Sequence, residues 1–346
     1  MLAGACALLH GSHRLTPAYA HAMACCASLL RLCQEKFNSL SEHMSDQPKQ
    51  KKKRPYSFGR RARHYLSNLL IVGIIRTALA LPYKTRLSFV CSLVQHILAP
   101  LAGYRRRALN NLEHVWPEMP LARREEIATR CLNNLGRSFI ENYSADDFPK
   151  RMAEAEPRGP GMAALEEANH TGQPVILVTG HYGNYEAARA SLVARGYDIG
   201  GLYREMKNPY FNAHYVKTLE AFGGPVFPQG RRGTAGFVRH LKQGGRLVLL
   251  FDQHVIHAPI LDFIGKPART AVSAAELALR YDALLIPFYG IRQDDGVSFD
   301  VVLEAPVPHS DPMTMTQALN DSLTAQITKT PEQWFWVHRR WRPHEK

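Results

Sequence analysis

The chain is poor in the features that most simply declare an enzyme class. Its 346 residues hold six cysteines, Cys6, Cys25, Cys26, Cys33, Cys91 and Cys131, and no two stand at a spacing that would hold zinc or act as a redox dithiol. They read as reduced thiols on the cytosolic side. There is no G-x-S-x-G elbow, no G-x-x-x-x-G-K-[ST] loop and no H-E-x-x-H helix, which removes the grounds for an α/β-hydrolase, a nucleotide-driven ligase or a zinc hydrolase. Negative charge is also scarce: 30 acidic residues face 43 basic ones, a net charge of +13. That balance favours an acidic partner, which is a nucleic acid, an anionic membrane or a phosphorylated or acidic-protein-borne substrate. No nucleic-acid motif and no aromatic-interleaved basic repeat is present, so the last two gain ground.

Long hydrophobic runs are missing as well. Residues 65–81 form an apolar stretch of about 17 residues, near the lower limit for crossing a bilayer, and Arg76 interrupts it. A second apolar segment, 87–101, follows Lys84 and Arg86. The pair is read as lying in the membrane interface or inserting shallowly rather than spanning cleanly. Arg60, Arg61 and Arg63, with the basic run at 51–54, precede it and suit anionic headgroups on the cytoplasmic side. Residues 1–43 hold four of the cysteines. They lack the charge and core of a secretory signal and read as a disordered extension or an over-called start with Met44 as the true one. The expected organisation is therefore an extension at 1–43, a basic juxtamembrane segment at 44–64, membrane-associated helices at 65–103 and a catalytic domain at 104–346.

Inside that last region, 121–143 has the apolar spacing of an amphipathic helix, at Ile127, Cys131, Leu132 and Leu135. Beyond 157–161 the pattern alternates. Apolar runs at 174–180, 246–252, 283–291 and 298–307, and the YDIGGLYR segment ending at Arg204, read as strands. Residues 186–194 and 271–280 read as helices. Alternation of this kind predicts an α/β domain with a largely parallel central sheet flanked by helices.

The strand at 174–180 ends on Gly180 and runs through His181, Tyr182, Gly183, Asn184 and Tyr185 into a helix bearing Glu186. Strand-to-helix corners are where α/β proteins place reactive side chains. On a continuous helix, residues five apart point about 140° away from each other, so His181 is placed in the turn, with Asn184 as the N-cap and Glu186 reaching back to the imidazole. A carboxylate on one ring nitrogen fixes the tautomer and leaves the other to take a proton from an alcohol. Sixteen histidines make a chance His-x4-acid match unsurprising, and His257 with Asp262 is a second one. It encloses Pro259 and opens no helix, so it is read as a decoy. Arg204, at a strand end, suits bidentate phosphate capture; for Arg231 and Arg232 a solvated surface role competes with that reading.

Five stretches together resemble the lipid A late acyltransferase family, the lauroyl and myristoyl transferases of Gram-negative bacteria within the glycerolipid acyltransferase superfamily. They are YRRRALNNLEHVWPEM at 104–119, GHYGNYE at 180–186, YREMKNP at 203–209, LFDQHV at 250–255 and PEQWFWVHRRWRP at 331–343. The resemblance implies an enzyme at the cytoplasmic face of the inner membrane. It implies acyl transfer from acyl carrier protein to a hydroxyacyl chain of the phosphorylated lipid A precursor, with no metal or cofactor and no nucleic acid. His181 becomes the general base and Glu186 its partner, with Arg204, Asn208, Asp252, Gln253 and Arg231 lining the substrate site. Arg231 stands in for a family arginine that has no counterpart in 218–224, and FPQGRRG at 227–233 is read as a surface turn. Trp334, Phe335 and Trp336 are expected to pack in the core. Two alternatives stay open: a glycerophospholipid or lysophospholipid acyltransferase using acyl-CoA or acyl carrier protein, and a non-catalytic membrane adaptor of the same fold.

Overall fold

The structure is a computed structural model that describes residues 57–341. The extension expected at 1–43 and the basic run at 51–54 lie outside the described residues. From Gly59 onward the chain belongs to one compact unit.

Helix α1 (Phe58–Leu79) is followed by α2 (Tyr83–Leu93), which continues through a π-helical turn (Val94–Leu98) into the short α3 (Ala99–Leu101). Next come α4 (Tyr104–Val115), α5 (Leu121–Tyr143), α6 (Phe148–Glu154), β1 (Pro157–Arg158) and α7 (Gly161–Thr171). The central alternation follows: β2 (Val175–Thr179), α8 (Tyr185–Val193), β3 (Ile199–Tyr203), α9 (Pro209–Ala221), β4 (Val226–Pro228), α10 (Arg231–Lys242) and β5 (Arg246–Leu250). A hairpin of β6 (Ile260–Phe263) and β7 (Lys266–Arg269) precedes α11 (Ser273–Tyr281), β8 (Leu284–Arg292), β9 (Phe299–Leu303) and α12 (Pro312–Lys329).

Seven strands form one sheet in the order β1-β9-β8-β2-β5-β3-β4. Every pairing in it is parallel except β8 with β9, so the expected largely parallel sheet is present. Strand β2 sits in its middle with all five residues buried; a VILVT run without polar alternation is what a strand covered on both faces requires. Helix α5 spans the expected residues and buries Ile127, Ala128, Cys131, Leu132, Gly136 and Ile140 along one stripe.

The apolar segments expected at the membrane do more than face outward. Helix α2 lies so close to α5 that a side-chain carbon at Gly136 would come 2.6 Å from the Cys91 Cα. Arg86 closes the corner between α1 and α2, donating to the Leu79 and Leu81 carbonyls at 3.0 Å each and to Asp147 at 2.6 Å. The other face remains open: Leu66, Leu69, Leu70, Phe89, Ile97, Leu98 and Leu101 are exposed. Among the described residues no single helix is long and apolar enough to cross a membrane; residues Tyr83–Leu101 and Tyr104–Val115 pass that test only as a pair bent by 83°.

Candidate active site

Strand register alone brings the central pair together. Strands β2 and β5 are parallel neighbours, with Thr179 opposite Leu250. His181 and Asp252 each lie two residues past those ends, on the same edge of the sheet, as topology favours for reactive groups in α/β folds. The His181 ring Nδ1 is 2.7 Å from Asp252 Oδ1, and the His181 backbone N–H donates to Oδ2 of the same carboxylate at 2.8 Å. The indole N–H of Trp334 donates to Oδ2 at 2.9 Å. Asp252 is buried and held by three donors. Gly180 permits this approach, because a side-chain carbon there would come 3.0 Å from Asp252 Oδ2 and 2.5 Å from Leu323.

The electrostatics follow from that seat. Burial pushes the Asp252 carboxyl up, but the facing imidazole and the three donors outweigh it and hold the group well below the usual carboxylate range. Burial likewise pulls the His181 imidazole down. The Asp252 charge and hydrogen bond more than reverse this, and the net shift is upward from 6.5. With Nδ1 carrying the proton toward Asp252, Nε2 is left as an acceptor. The Gln253 amide nitrogen stands 3.3 Å from it, and 26 % of the His181 side chain is open to solvent.

The C-terminal segment fastens this corner. Phe335 N–H donates to the His181 carbonyl at 3.0 Å, and Gly183 N–H to the Gln333 carbonyl at 2.9 Å. The Phe335 ring lies 5.8 Å from the imidazole and the Tyr185 ring 6.1 Å. Helix α4 grips the same segment from behind, Asn111 donating to the Trp336 and His338 carbonyls at 2.6 and 2.8 Å. The YRRRALNN and PEQWFWVHRR stretches, more than 200 residues apart, thus meet behind the imidazole. Gly183 adopts φ +58° and presses on the Gly290 carbonyl, where no side chain fits.

Glu186 does not reach the imidazole, contrary to expectation. Asn184 is the N-cap of α8, its side chain accepting from the Glu186 N–H at 3.1 Å. Glu186 is thereby fixed in the first helical turn, where it pairs with Arg189 one turn on, at 3.1 Å. Arg189 also donates to the Ile199 carbonyl at 3.3 Å and to that of Gly223, so the buried pair ties α8 to the sheet and to the end of α9. Replacing Glu186 with glutamine leaves a buried guanidinium without its counter-charge. The expected cost is about 3 kcal/mol of stability, read by thermal or denaturant unfolding, with the pH dependence of turnover unmoved. A displaced pH profile at unchanged stability would show that Glu186 acts on the imidazole after all.

The other sequence candidates separate. Arg204 follows β3, and Arg231 opens α10 just past β4; both are exposed. These strands are parallel to β5, with Gly201 opposite Val248 and Tyr203 opposite Pro228. Both arginines therefore belong to the edge that carries His181, roughly 10 and 15 Å along it at the usual strand spacing. Asn208 is already engaged: it caps α9, accepting from Tyr210 and Phe211, and its NH2 donates to the His64 carbonyl at 2.8 Å and to Ser67 at 3.1 Å in α1. That makes it a brace between helices rather than a free substrate ligand. Asp262 of the second His-x4-acid match caps the β6–β7 turn through Gly265 N–H at 3.1 Å. Among the described residues no group of three or more His, Cys, Asp and Glu side chains gathers as a metal-ligand set.

Two assignments change in consequence. Asp252, expected to line the substrate site, is the imidazole's partner, because the β2–β5 register puts it there. Trp334 is buried as expected, yet its N–H is spent on the Asp252 carboxylate, a role no sequence spacing announces.

Residues 56–343 match the family model for bacterial lipid A biosynthesis acyltransferases. The chain is 23% identical to the lipid A biosynthesis lauroyltransferase of Escherichia coli K12, over 80% of this chain and 92% of that one. It is 26% identical to a lipid A biosynthesis acyltransferase of Haemophilus influenzae, over 80% and 90%. A phosphatidylinositol mannoside acyltransferase of Mycobacterium tuberculosis is 25% identical over 67% of this chain and 75% of that protein. A family match over most of the chain, on a fold that holds a histidine–carboxylate pair at the edge of its sheet, leads to one conclusion: this is an acyltransferase, and it belongs to the bacterial lipid A biosynthesis acyltransferase family.

Proposed function

We propose that the protein transfers an acyl chain from acyl carrier protein to the hydroxyl of a hydroxyacyl chain on the lipid A precursor, with His181 as general base and Asp252 as the group that orients it. The observation that carries this reading is the polarity of the imidazole: Nδ1 is closed against a buried carboxylate while the Nε2 side is beside the exposed Gln253. Nε2 takes the proton of the acceptor hydroxyl as its oxygen attacks the thioester carbonyl. A C–O bond forms, the tetrahedral intermediate collapses, and the C–S bond breaks. The imidazolium returns the proton to the departing thiolate, so no protein nucleophile is consumed. Asp252 stabilises the imidazolium formed on the way.

An acidic carrier protein and a phosphorylated acceptor both suit a chain of net charge +13. Arg204 and Arg231, exposed on the same sheet edge, are the groups we assign to acceptor phosphate or donor phosphopantetheine. The basic residues Arg60, Arg61 and Arg63 and the exposed leucines of α1 support residence on the cytoplasmic face of the inner membrane. The mycobacterial relatives favour a second reading, in which the acceptor is a different glycolipid hydroxyl under the same chemistry.

The test is acyl transfer by the purified full chain, with acyl carrier protein and coenzyme A thioesters compared as donors. Lipid A precursor, phosphatidylinositol mannoside and a lysophospholipid are compared as acceptors, with products weighed by mass spectrometry. Transfer from the carrier protein to the lipid A precursor is expected to dominate. Exclusive use of coenzyme A thioester or of lysophospholipid would reject the proposal.

A further inference from the structure

Two adjoining concavities open where the Tyr83–Leu101 segment bends into α4. The larger, about 710 Å³, has an apolar wall that includes Leu101 and Leu109 and a polar wall of Arg105, Arg106 and Asn110. The smaller, about 240 Å³, shares Arg106 and Asn110 and adds Arg107 and Arg339. No acidic side chain lines either one. Glu125 offsets Arg105 from outside at 3.0 Å, and Arg107 is partly spent on the Val337 carbonyl at 3.2 Å. Arg106 and Arg339 are exposed. Guanidinium groups converging on one depression without a lining carboxylate repel one another, and an anion in the depression would relieve that.

The rim decides which anion. Leu101 is 83% exposed, and Ile97 and Leu98 of the preceding turn are exposed too. A cationic hollow with an apolar lip matches the boundary of a bilayer, where guanidinium forks take phosphate and neighbouring leucines enter the acyl region. An acidic protein would satisfy the charge, but the row of exposed Ile97, Leu98 and Leu101 beside it suits acyl chains better. We propose that this depression binds the phosphate of an anionic membrane lipid and so fixes the rotation of the catalytic domain on the membrane. The site draws on α4 and on Arg339 of the C-terminal segment, and so is separate from any attachment through α1.

Binding of the full chain to vesicles of phosphatidylcholine with phosphatidylglycerol, measured by sedimentation without donor or acceptor, tests this independently of the chemistry at His181. Arg106→Gln with Arg339→Gln is expected to weaken binding about thirtyfold. A control pair of exposed lysines, Lys150→Gln with Lys242→Gln, should cost far less. Unchanged unfolding curves for both pairs would confirm that the fold is intact, and Arg106→Lys with Arg339→Lys should recover part of the loss. The proposal is overturned if the arginine pair binds like wild type, or if the lysine pair loses as much. It also fails if inorganic phosphate binds in a way that depends on the arginine pair while vesicle binding does not, or if the arginine pair loses carrier-protein binding while keeping vesicles.

Discussion

Replacing His181 with alanine is expected to lower kcat by about 10³-fold or more, within the range that a positioned general base contributes, while the fold persists. The two hydrogen bonds that tie residue 181 into the site through its backbone, from its N–H to Asp252 and from Phe335 to its carbonyl, do not need the side chain. Alanine does take one of three donors from a buried carboxylate, so about 1–3 kcal/mol of stability should go with it. His181→Gln separates the two effects. Its amide N–H is able to donate to Asp252 and recover much of that stability, but an amide does not accept a proton at neutral pH. Turnover should stay as low as in the alanine variant. Steady-state rates together with denaturant unfolding of both variants check this, and a glutamine variant within tenfold of wild type would end the general-base assignment.

The parts of this molecule that could be read from sequence are those governed by local pattern. Helix α5 is legible because Ile127, Cys131 and Leu132 recur at helical spacing over 23 residues. The run at 174–180 is legible as a buried strand, and Asn184 as a cap, because each depends only on its neighbours. The short edge strand β4 and the β6–β7 hairpin carry too few residues, and too much Pro and Gly, to show a period. The partner of His181 is not legible in sequence for a different reason. Glu186 is nearest in sequence, but a side chain fixed in the first helical turn meets Arg189 before it meets a residue in the preceding corner. Asp252 is 71 residues away, and only the pairing of β2 with β5 reveals that both follow their strands at the same level. The signal that sequence does contain is the resemblance of the two strand ends: an apolar run, then a titratable side chain two positions beyond it.

Asp252→Asn is the variant that tests whether that carboxylate does more than fill space. Asparagine keeps the volume but loses the charge and presents either its oxygen or its NH2 to the ring, so the tautomer with Nε2 free is no longer enforced. The plateau of kcat should fall by about 10²- to 10⁴-fold. The pH profile should move as well, in a direction the site dictates. His181 acts as a base only when neutral, and in the wild type the Asp252 charge holds its ionisation above 6.5, so the rising limb of kcat/KM lies above that pH. Without the charge, burial acts alone and pulls the imidazole below 6.5, carrying the limb to lower pH even as its height collapses. Stability has its own signs. The raised imidazole contributes fully below pH 6.5, and its contribution fades as pH rises through the higher folded value. The depressed Asp252 carboxyl contributes above its ordinary 3.8, and that contribution fades as pH falls toward the lower folded value. The wild type should therefore exceed the asparagine variant in stability by most between about pH 4 and 6.5, and the gap should narrow on either side. A variant whose rate falls with no movement of the limb would leave Asp252 as a packing element, and the proton would have to be steered by some other group.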